Sequence, residues 1–211
     1  FGFELGKEND ALRREYTQAY HACISYIDAQ LGLLFDSLKL RGLWDDTIVI
    51  FTSDHGYHLG EHFMWGKVTL FEECARVPLI VRVPGMTKPG SITKALIEHV
   101  DFYPTLLELC GLENSRDLQG ISFVPILKNP SLKGKQATYT VVSRGEKLGR
   151  SIRTQKWRYA EWGAPNLSEL YDLEKDPNEY TNLAKDSNHR VQLRKMQGLL
   201  QAVRKRATQH K

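Results

Sequence analysis

The sequence predicts an α/β fold: part of a mostly parallel sheet with flanking helices, then a small antiparallel sheet with a terminal helix. Three observations carry this. A long amphipathic helix comes first, and two continuous, β-branched apolar runs follow it. Beyond residue 129 the texture changes to short strands broken by turn residues. The expected division is 1–128 for the α/β part and 129–211 for a small α+β subdomain.

Each element has a local reason. Leu12, Tyr16, Tyr20, Cys23, Ile27, Leu31, Leu34 and Leu38 recur at three- and four-residue steps, which predicts a helix over 10–40. Gly42 is placed to cap it. "TIVIFTS" (47–53) and "VPLIVRVPG" (77–85) read as strands buried on both faces of a parallel sheet. A helix over 99–111 follows, with Pro104 in its first turn and Gly111 as its stop. "NPSLKGKQ" reads as a linker, and "ATYTVVSR", "GRSIRTQKWRYAEW" and "SELYDLEKD" read as strands, the last running into the turn "DPNE". Val191, Leu193, Met196, Leu199, Leu200 and Val203 line one side of a basic terminal helix.

Composition narrows the function classes. With 41% hydrophobic and 26% charged residues, the chain is of ordinary globular type. No apolar run reaches the length of a membrane span, and "FGFELGKEND" lacks the basic start and apolar core of a signal peptide. The net charge of +4 is concentrated in the tail. Such a face is more often solvated than ligand-binding, and no nucleic-acid partner is expected. Cys23, Cys74 and Cys110 form neither a disulfide framework nor a CxxC pair, and Cys23 and Cys110 read as buried structural thiols.

The stretch "TIVIFTSDHGYHLGEHFMWGK" carries the chemistry. In open α/β sheets, ligands bind beyond the carboxyl ends of the strands, where Asp54 and His55 fall. Gly56 is expected to permit the sharp exit. Asp54 and His55 could share one metal ion, although a carboxylate suits calcium or magnesium while imidazole suits softer ions. The other reading makes Asp54 a cap and His55 a satisfied polar residue. His58 and His62, four apart, could share a helical face, but the pair lacks the catalytic glutamate that directly follows the first histidine in a zinc HExxH motif and lies in a Gly-containing loop, so it is a weak zinc motif. Lys67 is either an anion-holding charge in a cleft or a surface lysine.

The run "TSDHGYHLGEHFMWGKVTLFEECARVPLIVRVPG" resembles the type I sulfatases of the alkaline phosphatase superfamily. "ELYDLEKDPNEYTNLA" (169–184) resembles the C-terminal signature of the same enzymes, and the likeness covers most of the chain. Within the family it is most similar to the iduronate-2-sulfatase group. The resemblance implies an alkaline-phosphatase-like sheet and a sulfuric ester hydrolase acting on a sulfated sugar or polysaccharide, such as a glycosaminoglycan. Asp54 and His55 would be ligands of a divalent cation, usually calcium in that family. Lys67 would hold the sulfate and stabilise the leaving oxygen. Tyr57, His58 and His62 would line or support the site, with Gly60 and Gly66 permitting the loop. Arg153 and Trp157 would be structural. Tyr57, His58, Lys147 and Arg150 are available to meet a carboxylate or further sulfates.

The family's nucleophile is a formylglycine made from Cys or Ser within Cys/Ser-x-Pro/Ala-x-Arg. None of the three cysteines fits that motif, so no nucleophile is expected in this chain. The upstream aspartate pair and sulfate contacts of the family are absent too. The chain is therefore expected to be the C-terminal portion of a sulfatase, inactive alone and partnered by the missing N-terminal part, which would carry the formylglycine. An incomplete sheet edge would favour self-association. Family habit implies a periplasmic, secreted or lysosomal protein, and Asn166-Leu-Ser is a glycosylation sequon. Two other readings fit these residues: a metal-dependent phosphohydrolase of the same superfamily, and a non-catalytic module that binds sulfated polysaccharide.

Overall fold

The computed structural model describes residues 10–113 and 117–209, with backbone alone for 164–166 and 206–209. The opening residues read for a signal peptide fall almost wholly outside this range, and the Asn166 side chain of the sequon also lies outside it. The chain forms two compact units. One comprises the residues up to Lys67 together with Arg76–Gly85, and the other Val68–Ala75 together with the chain from Met86 on.

The first unit opens with α1 (Asp10–Leu40). Gly42, at φ 68°, ends it in a Schellman turn: the Leu43 N–H donates to Leu38 O at 2.9 Å and the Gly42 N–H to Lys39 O at 3.0 Å. The helix is as expected, but none of its residues is buried, and Cys23 is exposed rather than buried. Its stripe is exposed at Cys23, Ile27 and Leu34. β1 (Val49–Thr52), β2 (His58–Leu59), β3 (Trp65–Gly66) and β4 (Leu79–Arg82) complete the unit.

β1 and β4 pair antiparallel, Thr52 opposite Leu79 and Val49 opposite Arg82, which corrects the expectation of parallel neighbours. Apolar composition reports a wish for cover on both faces and carries no direction. The connection leaves and re-enters at one end of the pair, and the single helix within it spans four residues. A parallel pair needs a crossover that carries the chain back along the strands, usually a helix of their length, and no such helix lies in the connection. Both strands are largely half-buried rather than buried, for only each other pairs with them among the described residues.

The second unit holds α2 (Glu72–Ala75), α3 (Phe102–Leu109), α4 (Val124–Lys128), the strands β5 (Thr138–Arg144), β6 (Lys147–Arg153), β7 (Trp157–Trp162) and β8 (Ala164–Asp172), and α5 (Arg190–Gln209). Pro104 sits in the first turn of α3 and Gly111, at φ 65°, stops it, both as expected. Cys110 is the exposed residue that closes that helix, so its thiol is not buried, whereas Cys74 is. The four strands form one antiparallel meander in the order β5-β6-β7-β8. One face packs under α5, where Ile152, Tyr159, Leu170, Met196 and Leu200 are almost fully buried. Val191, placed on the apolar stripe, lies in the first turn of α5 and is 83% exposed.

The other face of this sheet carries a buried ion network. The Arg158 Nε lies 2.6 Å from Glu179 Oε1, and its Nη1 donates to Leu70 O at 2.6 Å. Its Nη2 reaches Glu72, which also pairs with Arg153 at 3.3 Å. The Glu72 N–H donates to Glu179 Oε2 at 2.6 Å. Burial raises the Glu179 carboxyl to about 7 despite Arg158. Burial also acts on Glu72, but Arg158 and Arg153 outweigh it and hold that carboxyl low.

The "LYDLEKDPNEYTNLA" signature builds this network's support. Asp176 Oδ2 accepts from the Thr181 N–H at 2.7 Å. Asn182 Oδ1 accepts from Leu170 at 3.1 Å and Ala184 at 2.9 Å, closing the turn that presents Glu179. Short polar side chains are needed there because they satisfy backbone donors that a tight turn leaves open.

Candidate active-site loop

The chain between β1 and Lys67 gathers the expected site residues, all within the first unit. Leaving β1, the Ser53 hydroxyl donates to His55 O at 2.7 Å and tightens the exit. The Asp54 carboxylate accepts from the His55 N–H at 3.0 Å. Its side chain is 84% exposed, and its Oδ2 lies 3.4 Å from His55 Nε2. The His55 N–H bond holds the Asp54 carboxyl below the usual carboxylate range; slight desolvation opposes it, and His55 and Lys67 add to it.

His55 Nδ1 lies 3.0 Å from Gly56 O, an acceptor, so the proton sits on Nδ1. The Nε2 lone pair is then free to accept from the Lys67 ammonium at 2.9 Å. Asp54, His55 and Lys67 therefore converge on one open spot. A hard oxygen donor and an oriented imidazole nitrogen on the same side suit part of a divalent-cation site. Among the described residues no group of three or more His, Cys, Asp or Glu could hold a metal ion. These two residues would be a partial ligand set.

Tyr57 points the other way, into an aromatic cluster. Its hydroxyl shares a 2.6 Å hydrogen bond with that of Tyr16. Its ring lies 5.6 Å from that of Tyr20, and Tyr16 meets Trp65 edge-on at 5.1 Å. The Tyr57 hydroxyl is pushed up to about 12, first by the Tyr16 hydrogen bond and then by burial, Tyr16 and Tyr20. Tyr16 and Tyr20 were read only as part of a helical stripe; their four-residue spacing was the available signal that both face the same loop.

His58 and His62 do not share a helix. His58 lies on β2 with no exposed surface, and His62 in a 3-10 turn at φ 54°. Their rings still meet edge-on at 5.9 Å. Glu61 was not singled out, yet its carboxylate accepts from the Leu59 N–H at 2.6 Å. The left-handed glycines of the loop are Gly60 (114°) and Gly66 (106°); Gly56, expected to make the sharp exit, is not among them. A Cβ on Gly60 would press on the Trp65 ring at 3.3 Å. His62, Phe63 and the β-branched Val68 also have positive φ, of 54°, 56° and 71°. Such conformations cost about 1–3 kcal/mol each and cluster where geometry is functional.

Comparison with known proteins decides the family. The family model described as "Sulfatase" matches residues 2–112. A second, "N-sulphoglucosamine sulphohydrolase, C-terminal", matches residues 60–206. The chain belongs to the sulfatase family. It is 33% identical over 207 residues to the N-acetylglucosamine-6-O-sulfatase of Bacteroides thetaiotaomicron, which covers 91% of this chain and 36% of that protein. A solved structure of a protein in complex with its substrate D-glucosamine-2-N,6-O-disulfate is 32% identical, with a TM-score of 0.84. That match covers 92% of this chain and 41% of the other. The phosphonate monoester hydrolase of Agrobacterium radiobacter is 31% identical, with a TM-score of 0.79, covering 89% and 40%. This sulfatase chain thus spans little more than a third of the length of the curated relative. The α/β fold with a small antiparallel sheet and terminal helix, expected from sequence, is the fold of these neighbours.

Proposed function

We propose that this chain supplies one side of the active site of a sulfuric ester hydrolase acting on a sulfated sugar or polysaccharide. The observation that carries the reading is the convergence of Asp54, His55 and Lys67, with Lys67 Nζ 2.9 Å from His55 Nε2. The names of the sugar-sulfatase relative and the disulfated-glucosamine complex support the substrate class. The iduronate-2-sulfatase likeness bears only on the choice of sugar within a glycosaminoglycan, and the compartment is proposed to be periplasmic, secreted or lysosomal.

Asp54 and His55 would hold the divalent cation, proposed to be calcium. When bound, that cation would polarise the sulfate oxygens. Lys67 Nζ sits on His55 Nε2, and with a cation held by Asp54 and His55 the ammonium would be available to meet an anion. Lys67 then offsets charge building on the sulfate and its leaving oxygen. The buried His58 and the Tyr57–Tyr16 pair hold the loop from behind, with His62 edge-on to His58. The nucleophile and the remaining ligands would come from the part of the longer relatives that this chain does not span, so the chain alone is proposed to be inactive.

The phosphonate hydrolase likeness keeps phosphoester hydrolysis as a second reading. The test is turnover of matched aryl sulfate and phosphate esters by the natural polypeptide. Sulfate is expected to be preferred, and Lys67→Ala to lower kcat by about 10²–10³. Added calcium should raise Tm in the native protein but not in Asp54→Ala. A preference for phosphate would move the assignment to the second reading. Retention on heparin without turnover, unaffected by either variant, would favour a binding module.

A further inference from the structure

The second unit has a hollow of about 310 Å³ lined by Arg144, Lys147, Trp162 and Leu167. Its construction follows from the strand register. β5 and β6 join through the two-residue turn Gly145-Glu146, so Arg144 and Lys147 stand directly opposite each other. Opposed residues of an antiparallel pair project on the same face, and like charges there are destabilising. No ion pair to either side chain is present among the described residues. Two cations are therefore held side by side, open to solvent, at the cost of mutual repulsion.

Two strand positions further in, on the same face, Gly149 stands opposite Trp162. A Cβ at Gly149 would sit 2.6 Å from the indole ring. The ring thus lies over bare glycine backbone, and its position is set by the sheet rather than by a flexible stem. Leu167 borders it from β8. The alternation of β6 sends Arg150 to the other face, opposite Glu161, so Arg150 takes no part. The hollow pairs a fixed aromatic ring with two adjacent cations.

We propose that this hollow is a binding site for one anionic pyranose unit, a sulfated sugar ring, built from residues other than those of the loop that holds Asp54 and Lys67. The apolar C–H face of the ring would stack on Trp162, and its sulfate would bridge Arg144 and Lys147, relieving their repulsion. The volume lies at the small end of ligand pockets, about 300–1,000 Å³, which suits one ring rather than a chain. An uncharged sugar would leave the cations unmatched. A simple anion would leave the indole unused.

The test is calorimetric binding of a heparin-derived tetrasaccharide and its desulfated counterpart to the natural polypeptide, with melting curves as folding controls. Arg144→Ala/Lys147→Ala, at exposed positions, is expected to weaken the sulfated ligand about tenfold or more. Trp162→Ala should do the same, and the desulfated ligand should bind poorly. Unchanged affinity in the folded double variant overturns the proposal. So does a loss in the double variant with none in Trp162→Ala, which would mean diffuse attraction of a polyanion. A second titration with Asp54→Ala/Lys67→Ala separates the two sites: that variant should keep hollow binding even where it loses turnover. Failure of the hydrolase reading would therefore not imitate failure here.

Discussion

The helices α1 and α5 were read from the same kind of apolar stripe, and their fates differ. Met196 and Leu200 of α5 are almost completely buried against Ile152, Tyr159 and Leu170. In α1 nothing is buried, and Ile24, Ile27 and Leu34 are each more than half exposed. Periodicity states which face of a helix calls for cover. Whether cover exists depends on a sheet brought there by distant chain. β5–β8 supply it for α5, whereas α1 is met by the Tyr57–Trp65 loop at Tyr16 and Tyr20 and by Trp44 at Phe35.

The comparison can be broken most sharply at the ion network beneath the β5–β8 sheet. Arg158→Met leaves the buried Glu179 and the half-buried Glu72 without their shared cation and should cost about 3–5 kcal/mol in denaturant unfolding. A loss below about 1 kcal/mol would mean that water reaches these carboxylates.

Next come the two stripes themselves. Leu200→Ala should cost about 2–5 kcal/mol, while Ile27→Ala on the isolated chain should stay within about 0.5 kcal/mol. Equal losses would show that α1 is covered after all, by a second copy or by another part of the chain. Cover by a second copy would also make the melting temperature fall on dilution.

The smallest expected effect is a pH slope. Glu179 has a folded value near 7, above its ordinary value of 4.5, because of burial. The folded state therefore binds this proton more tightly than the unfolded state does. Its contribution to stability is present at low pH and lost as pH rises from about 4.5 through 7, by at most about 1.4 kcal/mol per pH unit. Arg158 favours the ionised form, and Glu72, Glu73 and Tyr171 face the same group. Glu72, held low by Arg158 and Arg153, acts in the opposite sense below the carboxylate range. Glu179→Gln should flatten the slope between pH 5 and 8, and an unchanged slope would assign it to another group.

At the candidate site, the local facts were legible. Asp54 and His55 follow a buried-looking strand, and Lys67 lies far enough along for the loop to bring it back. The hydrogen bond between Lys67 and His55 was not legible, for it spans twelve positions through a loop with several left-handed residues. The same holds for the Tyr16–Tyr57 pair, 41 positions apart. His58 and His62 misled because a four-residue interval implies one face only if the segment is helical, and Gly60 makes it turn instead.

Residue order by itself determined the three long helices, the glycine stops of α1 and α3, the strand character of the segments that build the small sheet, and the kinship carried by the Asp-His-Gly and "LYDLEKDPNEYTNLA" segments. These depend on backbone preference, short-range periodicity and side chains that satisfy nearby donors, all properties of neighbours in sequence. Tertiary structure alone decided that β1 and β4 run antiparallel, that Arg158 is shared by the buried Glu179 and the half-buried Glu72, and that Arg144, Lys147 and Trp162 frame one hollow. Those outcomes depend on which distant segments meet and in what register, and apolar composition carries neither direction nor partner.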